Sequence, residues 1–499
     1  MSPDTQMKTA ALELPATRSP LQLSRVEAAA LVAILAYYVA STAAVGLFAP
    51  GPHTAALNSM ALRLLEGRFD VDPATIGYEA YVRDGLSYAY FGIFPALLRI
   101  PLIPFFDISG LSLSRLYALL ALTLGALGQA AAVRIALSLA RPGQFREFIA
   151  PRLTLAVLLS GPPILLARMG SIYDEVIAWA WALSMLFIAL ALHGFTSLRG
   201  FSTTTLTSMA VAAGLSLLTR ATTALGLYTA LGLILLWLLA EKKKLHLTRS
   251  LFGLAIDRRL LLPAGILIIF ILIQAGVNYG RWGDPFLMAD MSDQVHQIAP
   301  GRVPHFETYG LFNPIRLGYG LMYYFFPVWV IRDGDAYVLQ DGIQSVVDGL
   351  ELPPSSFLLT DPLLVTLAIF GGLGIRRGRI ATLPRPGAFA LLAGLLVTPT
   401  LLLSAWYMAF RYRAEFYPAL FLLSCVGAVH LSSAATALRD TGLRRLKMAI
   451  VILFLFQIIL SHFANVLYLM SSHGAGYNVL RDGLLAFYAE QILRVFVTH

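Results

Sequence analysis

Acidic and aromatic side chains are interleaved between residues 49 and 101 of this 499-residue chain. The acids are Asp70, Asp72, Glu79 and Asp84, and the aromatic residues that follow them include Tyr88 and Tyr90. A carboxylate beside a hydroxyl group can accept its proton and make the oxygen a nucleophile. Aromatic rings next to carboxylates are typical of sugar-binding clefts, because rings pack on C–H groups while carboxylates accept hydroxyl hydrogen bonds. The stretch therefore predicts a catalytic surface for a sugar, although any single acid could equally be a solvated loop residue.

Cations lie at predicted helix ends farther along the chain. Arg220 follows a Leu-Thr pair, and Arg411 and Arg413 belong to the phrase Arg-Tyr-Arg-Ala-Glu-Phe-Tyr-Pro. Because a guanidinium group matches phosphate oxygens with two hydrogen bonds, these arginines predict a phosphate-binding site. The alternative is internal pairing, for example of Arg413 with Glu415 or with an acid of a loop.

Tyr173 and Glu175 occupy a short turn before a predicted helix. Glu175 lies toward the predicted bundle, and carboxylates inside a membrane are functional hypotheses by default. We therefore add both residues to the predicted substrate-binding set. Acids at a helix N-terminus also stabilise the helix dipole, which is the structural alternative.

The rest of the chain is too apolar for a soluble protein. Hydrophobic residues make up 58% of it and charged residues 13%, whereas a soluble domain has about 25% charged residues. Apolar runs of roughly 20 residues predict about eleven membrane-spanning helices. They cover residues 26–48, 111–139, 153–167, 176–192, 204–218, 224–240, 261–277, 358–370, 388–407, 418–434 and 448–470. The predicted fold is an all-α, polytopic transmembrane helix bundle.

Positive charge sets the predicted orientation of this bundle. Basic residues are concentrated in short loops on one side, which the positive-inside rule places in the cytoplasm together with residues 1–25. The external segments are then the loops 49–110 and 278–356 and the tail 471–499. Apolar but proline-interrupted stretches at 91–106 and 311–331 predict interfacial helices in these loops. We expect an integral protein of the bacterial inner membrane.

Several function classes lack support in the sequence. The formal net charge is +9, but no basic, aromatic-rich soluble segment is present to bind nucleic acid. The single cysteine, Cys425, falls inside a predicted span, so neither a disulfide framework nor a cysteine metal site is expected. Dinucleotide, P-loop, zinc-protease and nucleophile-elbow motifs do not occur. We predict no cofactor and no metal site, and we leave a divalent-metal requirement open.

Several short phrases together resemble the GT-C superfamily of integral-membrane glycosyltransferases, which includes protein mannosyltransferases and aminoarabinose transferases. They lie at residues 64–70, 85–95, 173–175, 218–220, 278–286 and 411–418. A first helix followed by a large acidic loop adds to the resemblance. The resemblance implies that a sugar is transferred, with inversion, from a polyprenyl-phosphate donor among the membrane lipids. The acceptor would be a glycan, a lipid or a protein on the external, periplasmic face.

The chain departs from this family where the usual base is expected. That base is commonly an acid almost directly after the first helix, and residues 50–53 read Pro-Gly-Pro-His instead. We therefore expect the base farther along the loop, first of all at Asp70 or Asp84. His53 stands in the vacated region and could act as a base in principle.

Two other functions fit a polytopic protein with long external loops. A transporter or flippase of lipid-linked saccharides is one, although repeated halves and polar mid-membrane helices are not evident in the sequence. An O-antigen ligase or polymerase is the other, and a pyrophosphate-linked donor would distinguish it. Consumption of a polyprenyl-phosphate sugar without a membrane gradient would favour the glycosyltransferase over transport.

Overall fold

The computed structural model describes residues 25–43, 46–167, 170–198, 200–246, 258–289, 303–327, 332–333, 336–337, 340–351, 356–377 and 384–470. This part of the chain is 74% helical. The all-α fold class predicted from the apolar runs is therefore confirmed. The cytoplasmic segment predicted at the N-terminus, apart from Arg25, and the predicted external tail at 471–499 lie outside the described residues.

A helix occupies each of the eleven predicted spans. In chain order these are α1 (Arg25–Ala43), α2 (Ser114–Ser138), α3 (Gln144–Leu158), α4 (Ile172–Thr196), α5 (Thr203–Leu217), α6 (Ala221–His246), α7 (Arg258–Trp282), α8 (Pro362–Arg377), α9 (Arg385–Leu403), α10 (Arg413–Ala435) and α11 (Asp440–Met470). Within the described residues, 8 helices are long and apolar enough to cross a membrane, which identifies an integral membrane protein. The apolar part of α1, Ala28–Ala43, and helix α5 are shorter than these, and α8 has 16 residues. The count of eleven crossings stays a prediction.

Helix α4 lies at the centre of the bundle. Its most apolar stretch is 83% buried, whereas that of α7 is 22% buried. Helix α4 packs mainly on α2 and α5, while α8 packs on α10 and α6 packs on α9. Close packing of α8 on α10 needs small residues, because a Cβ atom at Gly427 would lie 1.8 Å from the Leu367 carbonyl oxygen.

Short elements build the first long loop. They are the helices Ala56–Leu65, Pro73–Ile76 and Phe94–Leu97, the 3₁₀ turns Gly77–Glu79 and Ile100–Leu102, and the antiparallel hairpin of β1 (Tyr81–Arg83) and β2 (Leu86–Tyr88). Prolines interrupt the stretch 91–106, and the side chains of Phe105 and Phe106 are exposed. No helix in this stretch is long enough to span a membrane, which agrees with the predicted interfacial segment.

The second long loop is built in the same way. Its described elements are the helices Val303–Tyr309, Arg316–Phe325 and Gln340–Gln344, the antiparallel strands β3 (Arg332–Asp333) and β4 (Ala336–Tyr337), and β5 (Gly349–Leu350). A helix of ten residues is about 15 Å long, half of a bilayer core of about 30 Å. The helix Arg316–Phe325 therefore does not cross a membrane on its own.

Three further short elements flank the bundle helices. They are the helices Pro162–Leu166 and Phe357–Thr360 and the 3₁₀ turn Phe410–Tyr412. Strand β6 (Tyr407–Met408) follows α9 and pairs in parallel with β5, which fastens the second loop to the bundle.

Candidate active site

The two long loops meet at one end of the bundle. In the first loop, the Phe94 amide donates to the Leu218 carbonyl (2.8 Å), just after α5. The Phe91 carbonyl of the same loop accepts a hydrogen bond from Arg281 in the last turn of α7 (2.9 Å). The second loop reaches this end through β5, which pairs with β6 after α9. Both loops thus lie on the same side of the bundle, as predicted.

Arg411 lies at the centre of this end and contacts both acids and rings. Its Nη1 atom is 2.7 Å from a carboxylate oxygen of Glu351, and its side chain is 8% exposed. The guanidinium carbon is 5.0 Å from the ring centroid of Tyr173 and 5.6 Å from that of Tyr412. Cations over aromatic faces gain electrostatic stabilisation from the ring quadrupole. The predicted residues Arg411 and Tyr173 are therefore brought together.

Glu351 is the acid that holds Arg411 in place. It is fully buried, and its second carboxylate oxygen accepts hydrogen bonds from the Phe410 amide (2.8 Å) and the Tyr468 hydroxyl (2.9 Å). The sequence patterns described above do not single out Glu351. The available signal was its apolar neighbours, since a charged residue flanked by Leu350 and Leu352 is an unusual surface residue.

Arg220 is the most accessible of the three predicted phosphate ligands. Its Nη2 atom is 2.6 Å from Glu415, and its side chain is 17% exposed. The Thr222 and Thr223 hydroxyls donate to the same carboxylate (2.7 and 2.9 Å). The Nε–H of Arg220 is buried without a hydrogen-bond partner. Burial disfavours its charge, but the neighbouring Glu415 outweighs this, so the pKa of Arg220 is raised above its ordinary value.

Arg413 points away from this surface. Its guanidinium group pairs with Asp361 and Thr360, and its side chain is 6% exposed. The suggested pair of Arg413 with Glu415 is wrong, because residues two apart on a helix point to different sides. Glu415 pairs with Arg220 instead.

Glu79 is the first-loop acid whose charge acts on two tyrosines that are also affected by Arg220 or Arg411. Burial raises the pKa of Tyr90 well above its ordinary value, Glu79 raises it further, and Arg220 opposes this. The pKa of Tyr78 is raised by burial and by Glu79 and is lowered by Arg411. Glu79 is half-buried on a 3₁₀ turn. Its charge therefore acts on Tyr90, which Arg220 also affects, and on Tyr78, which Arg411 also affects.

Asp70 and Asp72 have partners close to them in the sequence. Arg68 holds the buried Asp70 carboxylate with two hydrogen bonds, Nε to Oδ1 (2.9 Å) and Nη2 to Oδ2 (2.7 Å). Asp72 caps the short helix Pro73–Ile76 by accepting from the Ala74 amide (2.9 Å). Their predicted roles as bases stay predictions, and both side chains already serve local structure.

Asp84 sits at the tip of the hairpin of β1 and β2. Its φ angle is +52° and that of Gly85 is +76°, which is the backbone of a two-residue Asp-Gly hairpin turn. The Asp84 side chain is 82% exposed and lies 3.3 Å from Arg83. The turn accounts for an aspartate here without a catalytic role, which stays a prediction.

The predicted tyrosines fall into two groups. Tyr90 stacks on Phe91, with ring centroids 4.3 Å apart, and Phe91 contacts Tyr173 at 5.3 Å. Tyr88 instead contacts Trp282 (5.6 Å). The pKa of Tyr88 is raised by burial and by the charges of Asp70 and Asp84. Tyr90 and Tyr173 thus belong to the arginine-lined surface, and Tyr88 belongs to the outer hairpin.

Glu175 forms a closed ion pair below this surface. Both of its carboxylate oxygens accept hydrogen bonds from Arg99 (2.7 Å each), and both side chains are fully buried. Arg99 also donates to Asn58 (2.7 Å) and to the Pro95 carbonyl (2.8 Å). The substrate-binding role of Glu175 stays a prediction. The ion pair of Glu175 with Arg99 fastens the first loop to α4.

Metal ligands are not grouped in the described part of the chain. No cluster of three or more histidine, cysteine, aspartate or glutamate residues occurs among those residues.

Comparisons with known proteins give structural similarity alone. No family model and no curated protein sequence matches the chain. The structure is similar to the archaeal oligosaccharyltransferase AglB of Archaeoglobus fulgidus in complex with an inhibitory peptide and dolichol-phosphate, with 13% identity and a TM-score of 0.47 over 89% of this chain. It is also similar to ArnT of Cupriavidus metallidurans bound to undecaprenyl phosphate, with 14% identity and a TM-score of 0.39 over 91% of this chain.

The chain spans 56% of the AglB chain and 75% of the ArnT chain. Both proteins are members of the GT-C superfamily that the sequence resembles. With TM-scores below 0.5, these similarities do not assign a function to the chain.

Proposed function

We propose that the chain transfers a sugar from a polyprenyl-phosphate-linked donor to an acceptor hydroxyl on the external face of the membrane. One observation carries the proposal: the guanidinium carbons of Arg220 and Arg411 lie 5.2 and 5.6 Å from the ring centroid of Tyr412, at the end of the bundle where both long loops converge. The charge of Glu79 acts on the nearby Tyr78 and Tyr90 by raising the pKa of each. Two cations, one acid and aromatic faces are the groups that phosphate departure and sugar binding require.

Arg220 is the group proposed to bind the donor phosphate. Its side chain is partly exposed, and its Nε–H has no hydrogen-bond partner in the protein. The pair with Glu415 fixes the guanidinium group in position without using that donor. A preorganised cation of this kind stabilises a leaving phosphate as its negative charge develops.

The sugar is proposed to pack against the aromatic cluster of Tyr90, Phe91 and Tyr173. The Tyr90 ring stacks on Phe91, which contacts Tyr173, so the three rings are continuous, with Phe91 and Tyr173 buried. Arg411 lies over Tyr173 in this cluster. The anomeric carbon would then be held close to both cations.

The proposed step is a single displacement with inversion. The acceptor O–H bond breaks and its oxygen bonds to the anomeric carbon. The bond from that carbon to the phosphate oxygen breaks, and the electron pair leaves with polyprenyl phosphate, which becomes a dianion. The acceptor proton passes to a base of the first loop. The total charge is conserved, because the proton that the base gains offsets the second negative charge of the released phosphate.

The test uses the purified full chain in lipid nanodiscs, with undecaprenyl-phosphate mannose and undecaprenyl-phosphate glucose as separate donors. Membranes of the expressing cells supply the acceptor, and released undecaprenyl phosphate is measured without any gradient. Wild type is expected to release it. Arg220→Lys keeps the charge but loses the planar fork, so we expect a loss of about 10- to 100-fold.

The matched control is Arg68→Lys, which makes the same change on the outer hairpin side of the loop. This variant is expected to keep wild-type activity. Failure of wild type to release undecaprenyl phosphate from either donor would overturn the proposed function. Equal losses in the two lysine variants would overturn the assignment of Arg220.

A further inference from the structure

His53 has a backbone conformation that residues other than glycine rarely adopt. Its φ angle is +56°, in the left-handed region. Such strained residues persist where the surroundings fix them, and they cluster at functional sites. The turn is fixed here because Pro52 accepts a hydrogen bond from the Ile172 amide (3.3 Å). A Cβ atom at Gly51 would also lie 2.2 Å from the Gly170 carbonyl oxygen. The imidazole is therefore held rigidly against the start of α4.

The imidazole of His53 faces the proposed sugar surface. Its ring centroid is 5.0 Å from that of Tyr78 and 6.5 Å from that of Tyr173, both edge-on. Tyr173 is the ring that lies under Arg411. His53 is thus one aromatic ring away from the central cation of the site.

One nitrogen of this imidazole has no partner. The Nε2 atom of His53 is buried and makes no hydrogen bond within the protein. The great majority of buried polar atoms in proteins have a hydrogen-bond partner. An unpartnered nitrogen on a strained residue therefore points to a partner that is supplied by a bound molecule. A hydroxyl that donates to Nε2 would supply it.

The electrostatic surroundings keep this imidazole neutral and able to accept a proton. Burial lowers the pKa of His53 below its ordinary value, while the Glu79 carboxylate opposes that shift. The other groups facing it are the tyrosines 78 and 173, with Arg411 behind the latter. A neutral imidazole beside a carboxylate can take up a proton, because the carboxylate then stabilises the imidazolium.

We propose that Nε2 of His53 is the base that accepts the acceptor proton, and that Glu79 acts as a positioning residue which stabilises the imidazolium. This inference rests on the proposed function. The acceptor O–H bond breaks, its proton bonds to Nε2, and its oxygen attacks the anomeric carbon as polyprenyl phosphate leaves. The acceptor would approach the buried Nε2 from the side of Tyr78, whose side chain is 58% exposed.

Chemical rescue tests this assignment. His53→Gly removes the imidazole and keeps a residue that tolerates positive φ. In the undecaprenyl-phosphate release assay, we expect kcat/KM to fall by about 10²- to 10⁴-fold. Added free imidazole should restore a substantial part of it. His53→Asn also tolerates this backbone, and it should be as inactive as the glycine variant but insensitive to imidazole.

The matched control is His305→Gly in the second loop. The imidazole of His305 contacts the Ser345 carbonyl (3.1 Å), away from the arginines. This variant should keep wild-type activity with or without imidazole. A pH profile adds a second measurement, because Glu79→Gln removes the charge that favours the imidazolium and should move the acidic limb of kcat/KM to lower pH.

The outcomes separate the two proposals. If wild type releases undecaprenyl phosphate while His53→Gly and His53→Asn keep full activity, His53 is not the base and the proposed function stands. If the glycine variant folds with an unchanged melting temperature but imidazole restores nothing, the assignment is also overturned. An inactive wild type overturns the proposed function and this inference together.

Discussion

The outer and inner parts of the first long loop use their charges in different ways. In the outer part, Asp70 and Asp84 have their arginine partners within two residues along the chain. In the inner part, Arg99 pairs with Glu175, 76 residues away. The outer charges shape a hairpin and a helix cap, while the inner charges join the loop to the bundle.

The same difference applies to the arginines of the candidate site. Arg411 pairs with Glu351, 60 residues away, and Arg413 pairs with Asp361, 52 residues away. The dense local cluster of acids in the outer part of the loop is thus held by partners close to it in the sequence, whereas the arginines of the candidate site are held by distant ones. An ion pair between residues that are distant in the sequence can form only when the fold brings the two side chains together.

The largest expected effect comes from breaking an inner pair. Glu175→Ala leaves the buried Arg99 cation without its carboxylate, and we expect a loss of about 3–5 kcal/mol in the free energy of unfolding. Glu66→Ala is the control, because Glu66 is 53% exposed beside Arg68. That change should stay within about 0.5 kcal/mol. Denaturant unfolding in detergent micelles measures both, and similar values for the two variants would contradict the distinction between inner and outer charges.

The second effect concerns activity. Glu79→Gln removes the acid on the inner surface, and we expect undecaprenyl-phosphate release to fall by roughly 10- to 100-fold. Asp70→Asn, Asp72→Asn and Asp84→Asn change the outer acids and should each stay within about twofold of wild type, since surface changes away from the site have small effects. A loss at Asp70 or Asp84 equal to that at Glu79 would show that the base lies on the outer hairpin after all.

The sequence was sufficient for the architecture. Continuous apolar runs predict helices because a lipid environment leaves few other ways to satisfy the backbone, and a helix lies at every predicted span. Charge bias between loops predicted that both long loops share one side, and the contacts of Phe94 and β5 place them there. These are local or additive properties, which sequence patterns record well.

The arrangement of the site was not readable from the sequence. The pair of Arg220 with Glu415 joins residues separated along the chain by the four bundle helices α6 to α9, so no spacing rule reveals it. The sequence pointed to Asp70 and Asp84 because they lie in a dense cluster, yet a bidentate arginine and a hairpin turn account for them. The two signals at His53, its positive φ angle and its unpartnered Nε2, exist only in three dimensions.

A smaller effect tests whether Asp84 serves the turn. Asp84→Ala puts a residue without local hydrogen-bonding ability at φ +52°, and we expect a loss of about 1 kcal/mol in unfolding free energy. Asp84→Gly should cost less than this or be neutral, because glycine adopts this conformation freely. Both variants should keep wild-type transfer activity. Equal stability of the alanine and glycine variants would mean that the turn does not need its special backbone.

The smallest expected effect is a pH dependence that separates inner His53 from the outer loop. Burial lowers the pKa of His53 in the folded chain, whereas an unfolded histidine titrates near about 6.5. As the pH falls below that value, the unfolded chain binds the proton more readily than the folded chain, so stability decreases. Glu79, Tyr78 and Tyr173 face the ring, and of these the Glu79 charge limits the decrease in stability.

The melting temperature of wild type should therefore fall more between pH 7 and pH 5 than that of His53→Asn, while His305→Asn should follow wild type. Parallel curves for all three proteins would show that the His53 imidazole is not desolvated in the fold, which would remove the electrostatic support for a neutral base at this position.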